Sequence, residues 1–482
     1  LPETFYWHDY ETFGADPSRD RPVQFAGLRT DAELNPLGDP LVVFSRPAGD
    51  FLPHPQACLI TGITPQEALR EGVPECEFIR LIHQQLAQPG TCGVGYNSLR
   101  FDDEVTRFTL YRNFYDPYAR EWQNGNSRWD IIDMVRAARA LRPEGIHWPT
   151  RDDGLPSFRL EELTAANGIS HESAHDALSD VHATLALAKL IRQRQPRLFD
   201  YVLRHRDKRS ALSLLQVESM KPVLHVSGMF GAIRNNIALI APLALHPVNR
   251  NEVICYDLSC DPEILIDENP ERVRTLLYAR NEDLAADEQR PGLKSVHLNR
   301  CPVLVTAKMA DPATAARLGI SGTECRRNLA LLRDYRARDP DGFAAKMRAI
   351  YSDRDLPPIT DPDRMLYAGG FFSAADRGTM EQVLRSSPEE LAAASFVFED
   401  ERLPEMLFRY RARNFPQSLS PGEREQWADY RFHRLTDPDG GASICLEDYQ
   451  ALISQCLAAD DLAGKDREML LALLDYGDQL LA

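Results

Sequence analysis

Residues 5–14, FYWHDYETFG, place Asp9 and Glu11 two positions apart behind an apolar and aromatic run that suits a β-strand. In a strand, residues i and i+2 project from one face, so both carboxylates would point into one cavity. Two like charges held that close repel, and they resist desolvation unless a cation sits between them. The hard ions Mg²⁺ and Mn²⁺ prefer oxygen ligands, which makes the pair a candidate metal site. An Asp-x-Glu alone is more often a polar strand end with two solvated acids. The reading therefore depends on acids elsewhere in the chain.

Two further positions qualify. Asp102 falls in the first turn of a helix beginning near SLRFDDEVTRFTLYRNF, where acids also complement the helix dipole. Asp180 lies in SAHDALSDVHATLALAKLIRQR (173–194), whose apolar residues recur at helical spacing. His175 precedes Asp180 by five residues, which on one continuous helix would set them well apart around the axis. Both reach one site only if His175 lies in the lead-in loop and Asp180 within the helix. Four carboxylates (Asp9, Glu11, Asp102 and Asp180) can hold two Mg²⁺ ions about 3.5–4 Å apart, an arrangement suited to phosphodiester hydrolysis. One ion would lower the pKa of a water and the other would stabilise the leaving 3′-oxygen. A histidine beside that water can accept its proton.

The elements that must position these residues read as follows. Strands are expected at 23–31 and 40–47, joined to the first by short connections that suggest an antiparallel meander opening a mixed sheet. A helix over 63–72 carries Thr64 as N-cap, Pro65 at its first position and Glu67 at the capping-box position. Another helix covers 76–88, a short buried strand 91–97, and a strand-to-helix junction 129–141. The helix within 154–169 is stopped by Gly168. Between Asp102 and that junction the chain interleaves Arg107, Tyr111, Arg112, Phe114, Tyr115, Tyr118, Trp122, Arg128 and Trp129. Rings stack on bases and guanidinium groups meet phosphates, which suits a single-stranded nucleic acid; a core edge accounts for several of the rings. After a charged helical bridge (194–215) the texture turns to β at 221–230, 236–247, 252–259 and 293–305, a small barrel or sandwich interrupted by a helical insert at 270–284. From about residue 355 the chain is mostly helical.

A chain of 482 residues implies two to four domains, and its apolar and charged content is that of a globular protein. No window approaches the ~18 apolar residues of a membrane span. The first apolar residues already belong to the Asp9 strand, so no signal peptide is expected, and a start at Leu1 leads us to expect a few trimmed native residues. The nine cysteines are scattered without a CxxC pair, which argues against a zinc site or disulfide framework and fits a reducing cytoplasm. Net charge is −17, yet between Lys189 and Lys221 nine Lys/Arg face three acids, a local surplus of six. That run is either solvated helix surface or a patch for an anionic partner.

The order Asp-x-Glu, then N-x₄-D (Asn97 to Asp102), then H-x₄-D (His175 to Asp180) resembles the DEDD exonuclease superfamily in its histidine subtype. The tyrosine subtype would carry a Tyr where Asp176 stands. More narrowly, HDYETFG, RPVQFAGLRTD, LITGITPQEA, FDDEVTRF, YRNFYDPY, NSRWD, DDGLPSFRLE, HDALSD, RQPRLFDY, HVSGMFGA and YRARNFP look like the bacterial exonuclease I family, over essentially the whole chain. The resemblance implies an α/β fold. An RNase H-like exonuclease domain (1–195; a mixed five-stranded sheet with flanking helices) precedes an SH3-like β domain (196–350) and a helical C-terminal domain (351–482). It implies a processive, Mg²⁺-dependent 3′→5′ exonuclease that degrades single-stranded DNA to 5′-mononucleotides in repair and recombination, with Mn²⁺ as a substitute ion.

By motif, Asp9, Glu11, Asp102 and Asp180 are the implied metal ligands and His175 the general base. Glu11 also lies against the 3′-terminal nucleotide and Arg159 contacts substrate, while Arg107, Tyr118 and Trp122 line the DNA path. The family also binds the acidic C-terminal tail of single-stranded DNA-binding protein, for which Arg142, Tyr201 and Lys221 are the implied pocket members. A groove built within one chain suggests a monomer, in the cytoplasm and near the nucleoid. Two other readings stay open from the residues: an exoribonuclease or proofreading subunit, which needs no extra domains, and a non-catalytic adaptor with vestigial acids.

Overall fold

The computed structural model describes residues 2–171, 175–286, 288–352, 358–459 and 462–481. They fall into two compact units, each built from discontinuous stretches: 2–128, 171–185 and 357–482 in one, 129–170 and 186–356 in the other.

The expected mixed five-stranded sheet is present, in the order β3-β2-β1-β4-β5. Its strands are β1 (Thr4–Thr12), β2 (Pro22–Thr30), β3 (Leu41–Phe44), β4 (Thr91–Gly95) and β5 (Ser127–Asp130). β1 runs antiparallel to β2 and parallel to β4, and β2 runs antiparallel to β3. The meander expected of the first three strands is therefore observed. Alternation on β1 sorts its side chains. Tyr6 and Tyr10 enter a core with Phe25, Phe78, Ile82, Val105 and Leu110, drawn from β2 and the helices Glu75–Leu86 and Asp102–Arg112. Phe5 and Trp7 are buried on the opposite face, which Asp9 and Glu11 continue. The C-terminal helices complete the same unit. Leu435, Tyr449, Ile453, Leu470 and Leu473 close over Phe13, Val23 and Phe51, while Leu366, Met380, Leu403 and Met406 pack on Phe108, Tyr111 and Phe114.

The other unit holds a second sheet, β10-β6-β7-β8-β9. It is made of β6 (Val223–Val226), β7 (Ile237–Leu245), β8 (Glu252–Asp257), β9 (Leu293–His297) and β10 (Val303–Thr306), and its described pairs are antiparallel. Successive residues of β8 serve two cores, Val253 and Cys255 on one face and Ile254 and Tyr256 on the other. Two features differ from the sequence reading. The stretch 293–305 is two strands at opposite edges of the sheet, broken at Cys301 (φ 47°) and Pro302. The helices Gly322–Arg338 and Pro340–Ile350 stand inside the segment read as β-rich, and they cover one sheet face with Leu329, Leu332, Phe343 and Met347. Their starts carry ordinary caps, Ser321 accepting from Glu324 N and Asp339 from Gly342 N. Among the described residues no helix is long and apolar enough to cross a membrane, and all nine cysteines are free.

Candidate active site

The strand places Asp9 and Glu11 where alternation requires, Asp9 partly exposed and Glu11 buried. β4 pairs with Thr4–Trp7 of β1, so among the described residues that edge of β1 has no strand partner beyond Trp7. Asp102 fills part of the gap: its Oδ1 accepts a hydrogen bond from Tyr10 N at 3.1 Å, pinning the start of helix Asp102–Arg112 against the Asp9–Glu11 end of β1. The helix carrying Asp180 begins at Ala177. Asp176 stands just before it and accepts from Ser179 N at 3.1 Å, as an N-cap does. His175 therefore lies in the lead-in, the condition set by the sequence, with φ at +66°; residues 172–174 lie outside the described residues. For a residue with a Cβ that left-handed backbone is strained.

These elements bring Glu11, His175 and Asp180 together, with one donor atom from each lying within 4.8 Å of the others. Burial raises the Glu11 pKa to about 9, and each neighbour that shifts it further is another acid: Asp180, Asp102 and Asp176. Asp9 is pushed well above the carboxylate range, first by burial and then by Asp102, Glu11, Asp180 and Asp176. Burial also raises Asp180, opposed by His171, whose Nε2 lies 2.5 Å from Asp180 Oδ1, and by His175. A set of carboxylates with no protein cation among the groups shifting Glu11, and with an imidazole at hand, fits a divalent metal ion.

The chain's three parts match family models: residues 6–188 the model described as Exonuclease, 206–353 Exonuclease I SH3-like domain, and 360–480 Exonuclease I C-terminal domain. Exodeoxyribonuclease I of Escherichia coli K12 is 49% identical over 480 residues, 99% of this chain and 98% of that protein. The chain belongs to the exonuclease I family. As in that family, an exonuclease domain of RNase H-like fold is followed by an SH3-like and a C-terminal domain, and the protein is an exonuclease. Among solved structures, the exonuclease I of the moderate thermophile Methylocaldum szegediense is 51% identical with a TM-score of 0.94, covering 99% of this chain and 100% of its own. A zinc-bound complex of E. coli exonuclease I with single-stranded DNA is 47% identical with a TM-score of 0.94, over 100% of each chain.

The remaining sequence-based positions are less uniform. Arg107 is buried, its guanidinium taken up by Glu121 (2.7 and 2.8 Å), Glu104 (2.8 Å) and Tyr367 (3.0 Å). It also lies over the Tyr118 ring at 5.3 Å, and Tyr118 meets Phe371 edge-on at 6.2 Å. Trp122 is 66% exposed. Arg159 belongs to the other unit, just before helix Leu160–Ala166, with its side chain 73% exposed and 3.5 Å from Glu162. In that unit Arg142, Tyr201 and Lys221 gather along residues 304–309. Arg142 Nη1 donates to Met309 O (3.5 Å), Tyr201 Oη donates to Leu304 O (3.2 Å), and Lys221 lines a cavity of about 600 Å³ with Thr306, Lys308 and Arg326. Sequence reasoning missed Gln24, Asp176 and His171 as parts of the site. Asp176 carried a signal, an acid three residues before Ser179 at a helix start; Gln24 carried none.

Proposed function

We propose that this protein removes 5′-mononucleotides processively from the 3′ end of single-stranded DNA, in repair and recombination. The observation that carries the reading is the acid cluster at one end of β1, where the pKa values of Asp9, Glu11 and Asp180 are raised as at a place for cations. Asp9, Glu11, Asp102 and Asp180 would hold Mg²⁺ ions, with Mn²⁺ as a substitute. When bound, a pair of such ions supplies Lewis-acid stabilisation of the attacking and leaving oxygens. His175, exposed and beside Glu11 and Asp180, takes the proton of the attacking water on a ring nitrogen. The water oxygen forms the new bond to phosphorus as the bond to the 3′-oxygen breaks. The nucleotide leaves with a 5′-phosphate and the strand keeps a new 3′-hydroxyl. Glu11 also lies against the terminal nucleotide, and Tyr118, Trp122 and Arg159 meet the strand. Arg107 lines the same path beneath the Tyr118 ring, its guanidinium held by Glu104, Glu121 and Tyr367.

The zinc-bound E. coli complex, at 47% identity, supports both the metal and the single-stranded substrate. We further propose a monomer that works in the cytoplasm near the nucleoid. Its cavity beside Lys221, Lys308 and Arg326 takes the acidic tail of single-stranded DNA-binding protein. Digestion of end-labelled oligonucleotides tests the core of the reading. Mononucleotides should leave the 3′ end of single-stranded DNA with Mg²⁺ and not with EDTA, while duplex and RNA persist. RNA degraded as fast as DNA would favour an exoribonuclease, and binding without release an adaptor.

A further inference from the structure

Gln24 of β2 is the register partner of Glu11, so its side chain rises from the same face of the sheet beside the acid cluster. Its carboxamide spans to the segment that carries His175. Gln24 Oε1 accepts from Ala177 N at 3.2 Å, and Gln24 Nε2 donates to Asp176 Oδ1 at 3.3 Å. A backbone N–H only donates, so Ala177 dictates which end of the amide faces it and leaves the NH₂ for Asp176. The other Asp176 oxygen accepts from Ser179 N and caps the helix that bears Asp180. His175 immediately precedes this clamped pair and holds φ at +66°. Such a backbone is strained and persists only where its surroundings over-determine it.

We propose that Gln24 is a positioning residue of the reaction: through Asp176 and Ala177 it holds His175 in its strained backbone beside Glu11 and Asp180. The inference rests on the exonuclease reading above. Gln24 touches no reacting atom itself. Its partners must offer one donor and one acceptor in a fixed order, and that requirement makes the role testable.

In Gln24→Glu, one oxygen still accepts from Ala177 N while the other faces the Asp176 carboxylate. In Asp176→Asn, the cap survives but the new amide NH₂ meets that of Gln24. The pair Gln24→Glu with Asp176→Asn restores every donor–acceptor match at unchanged net charge. The rate to read is the single-turnover release of the 3′-nucleotide at saturating protein, which an inactive fraction does not lower. Each single variant should slow it roughly 10–100-fold, with oligonucleotide affinity in EDTA unchanged. The double variant should return to within about threefold of wild type. A Gln24→Glu rate equal to wild type, or a double variant no faster than the slower single, would overturn the proposal. Absence of release from the wild-type protein in the same assay would instead refute the exonuclease reading.

Discussion

Two groups of buried acids in one unit of this molecule have opposite fates. At the end of β1, Glu11 is raised to about 9 by burial and by other acids. Elsewhere in the unit, burial alone would raise Glu75 too, but Arg112 at 3.0 Å and Arg21 at 3.7 Å more than offset it and hold the carboxyl at about 2. Asp50 and Asp363 are likewise held well below the carboxylate range despite burial, with Arg413 bridging them at 2.8 and 2.7 Å. Arg409 and Arg434 extend the network to Asp361. The chain supplies cations where acids serve the fold. It sets only other acids around Glu11, where we propose that a metal binds. The YRARNFP run falls on the first side of this contrast, since Arg413 ties Asp50 to Asp363 and Asn414 accepts from Cys76 N.

The largest effect should come from breaking the metal side. Asp180→Asn should lower nucleotide release roughly 10⁴-fold in Mg²⁺ while single-stranded DNA is still bound, as read by product release and filter binding. Retained turnover would remove Asp180 from the ligand set. Breaking the structural side should cost stability instead: Arg413→Met removes the cation that bridges Asp50 and Asp363, leaving them Arg434 at 3.7 Å and Arg409 at 3.2 Å, and should destabilise the fold by about 3 kcal/mol in denaturant melts.

A smaller effect sharpens the contrast by reversing its sign. Glu11 is raised above its unfolded value of 4.5, so its contribution to stability is fully present below pH 4.5 and is lost as pH rises through about 9. Glu11→Gln should therefore stabilise the metal-free protein by about 1–3 kcal/mol at pH 8, and less at pH 5.5, while removing activity. Glu75 behaves the other way. Its contribution is present above pH 4.5 and lost as pH falls towards 2, so acid melts of Glu75→Gln should lie closer to wild type at pH 3 than at pH 7.

The metal side was more legible in the sequence than the structural side. Asp9 and Glu11 sit on a strand whose period of two is written in its side chains, and Asp102 and Asp180 stand at helix starts. Helical geometry made a lead-in position the condition for His175 to share a site with Asp180, and the helix begins at Ala177. What stayed hidden depends on register and on contacts between distant residues. Gln24 matters because the β1–β2 pairing sets it opposite Glu11, and no spacing within β2 announces that. The sequence shows Arg107 among aromatics but not its partners Glu104, Glu121 and Tyr367, the last of them 260 residues away. The helices after Ser321 and Asp339 had readable caps and were lost in the β texture before them. The split of 293–305 turns on a pairing that sends its halves to opposite edges of one sheet.

The most direct test of the contrast is calorimetric titration of Mn²⁺ into the metal-free protein at pH 7.5, repeated in buffers of different ionisation enthalpy. Raised carboxylates must lose protons as the ion enters. The account predicts saturable binding with proton release, both diminished in Glu11→Gln and unchanged in Glu75→Gln. Binding without proton release, or binding indifferent to Glu11, would contradict it.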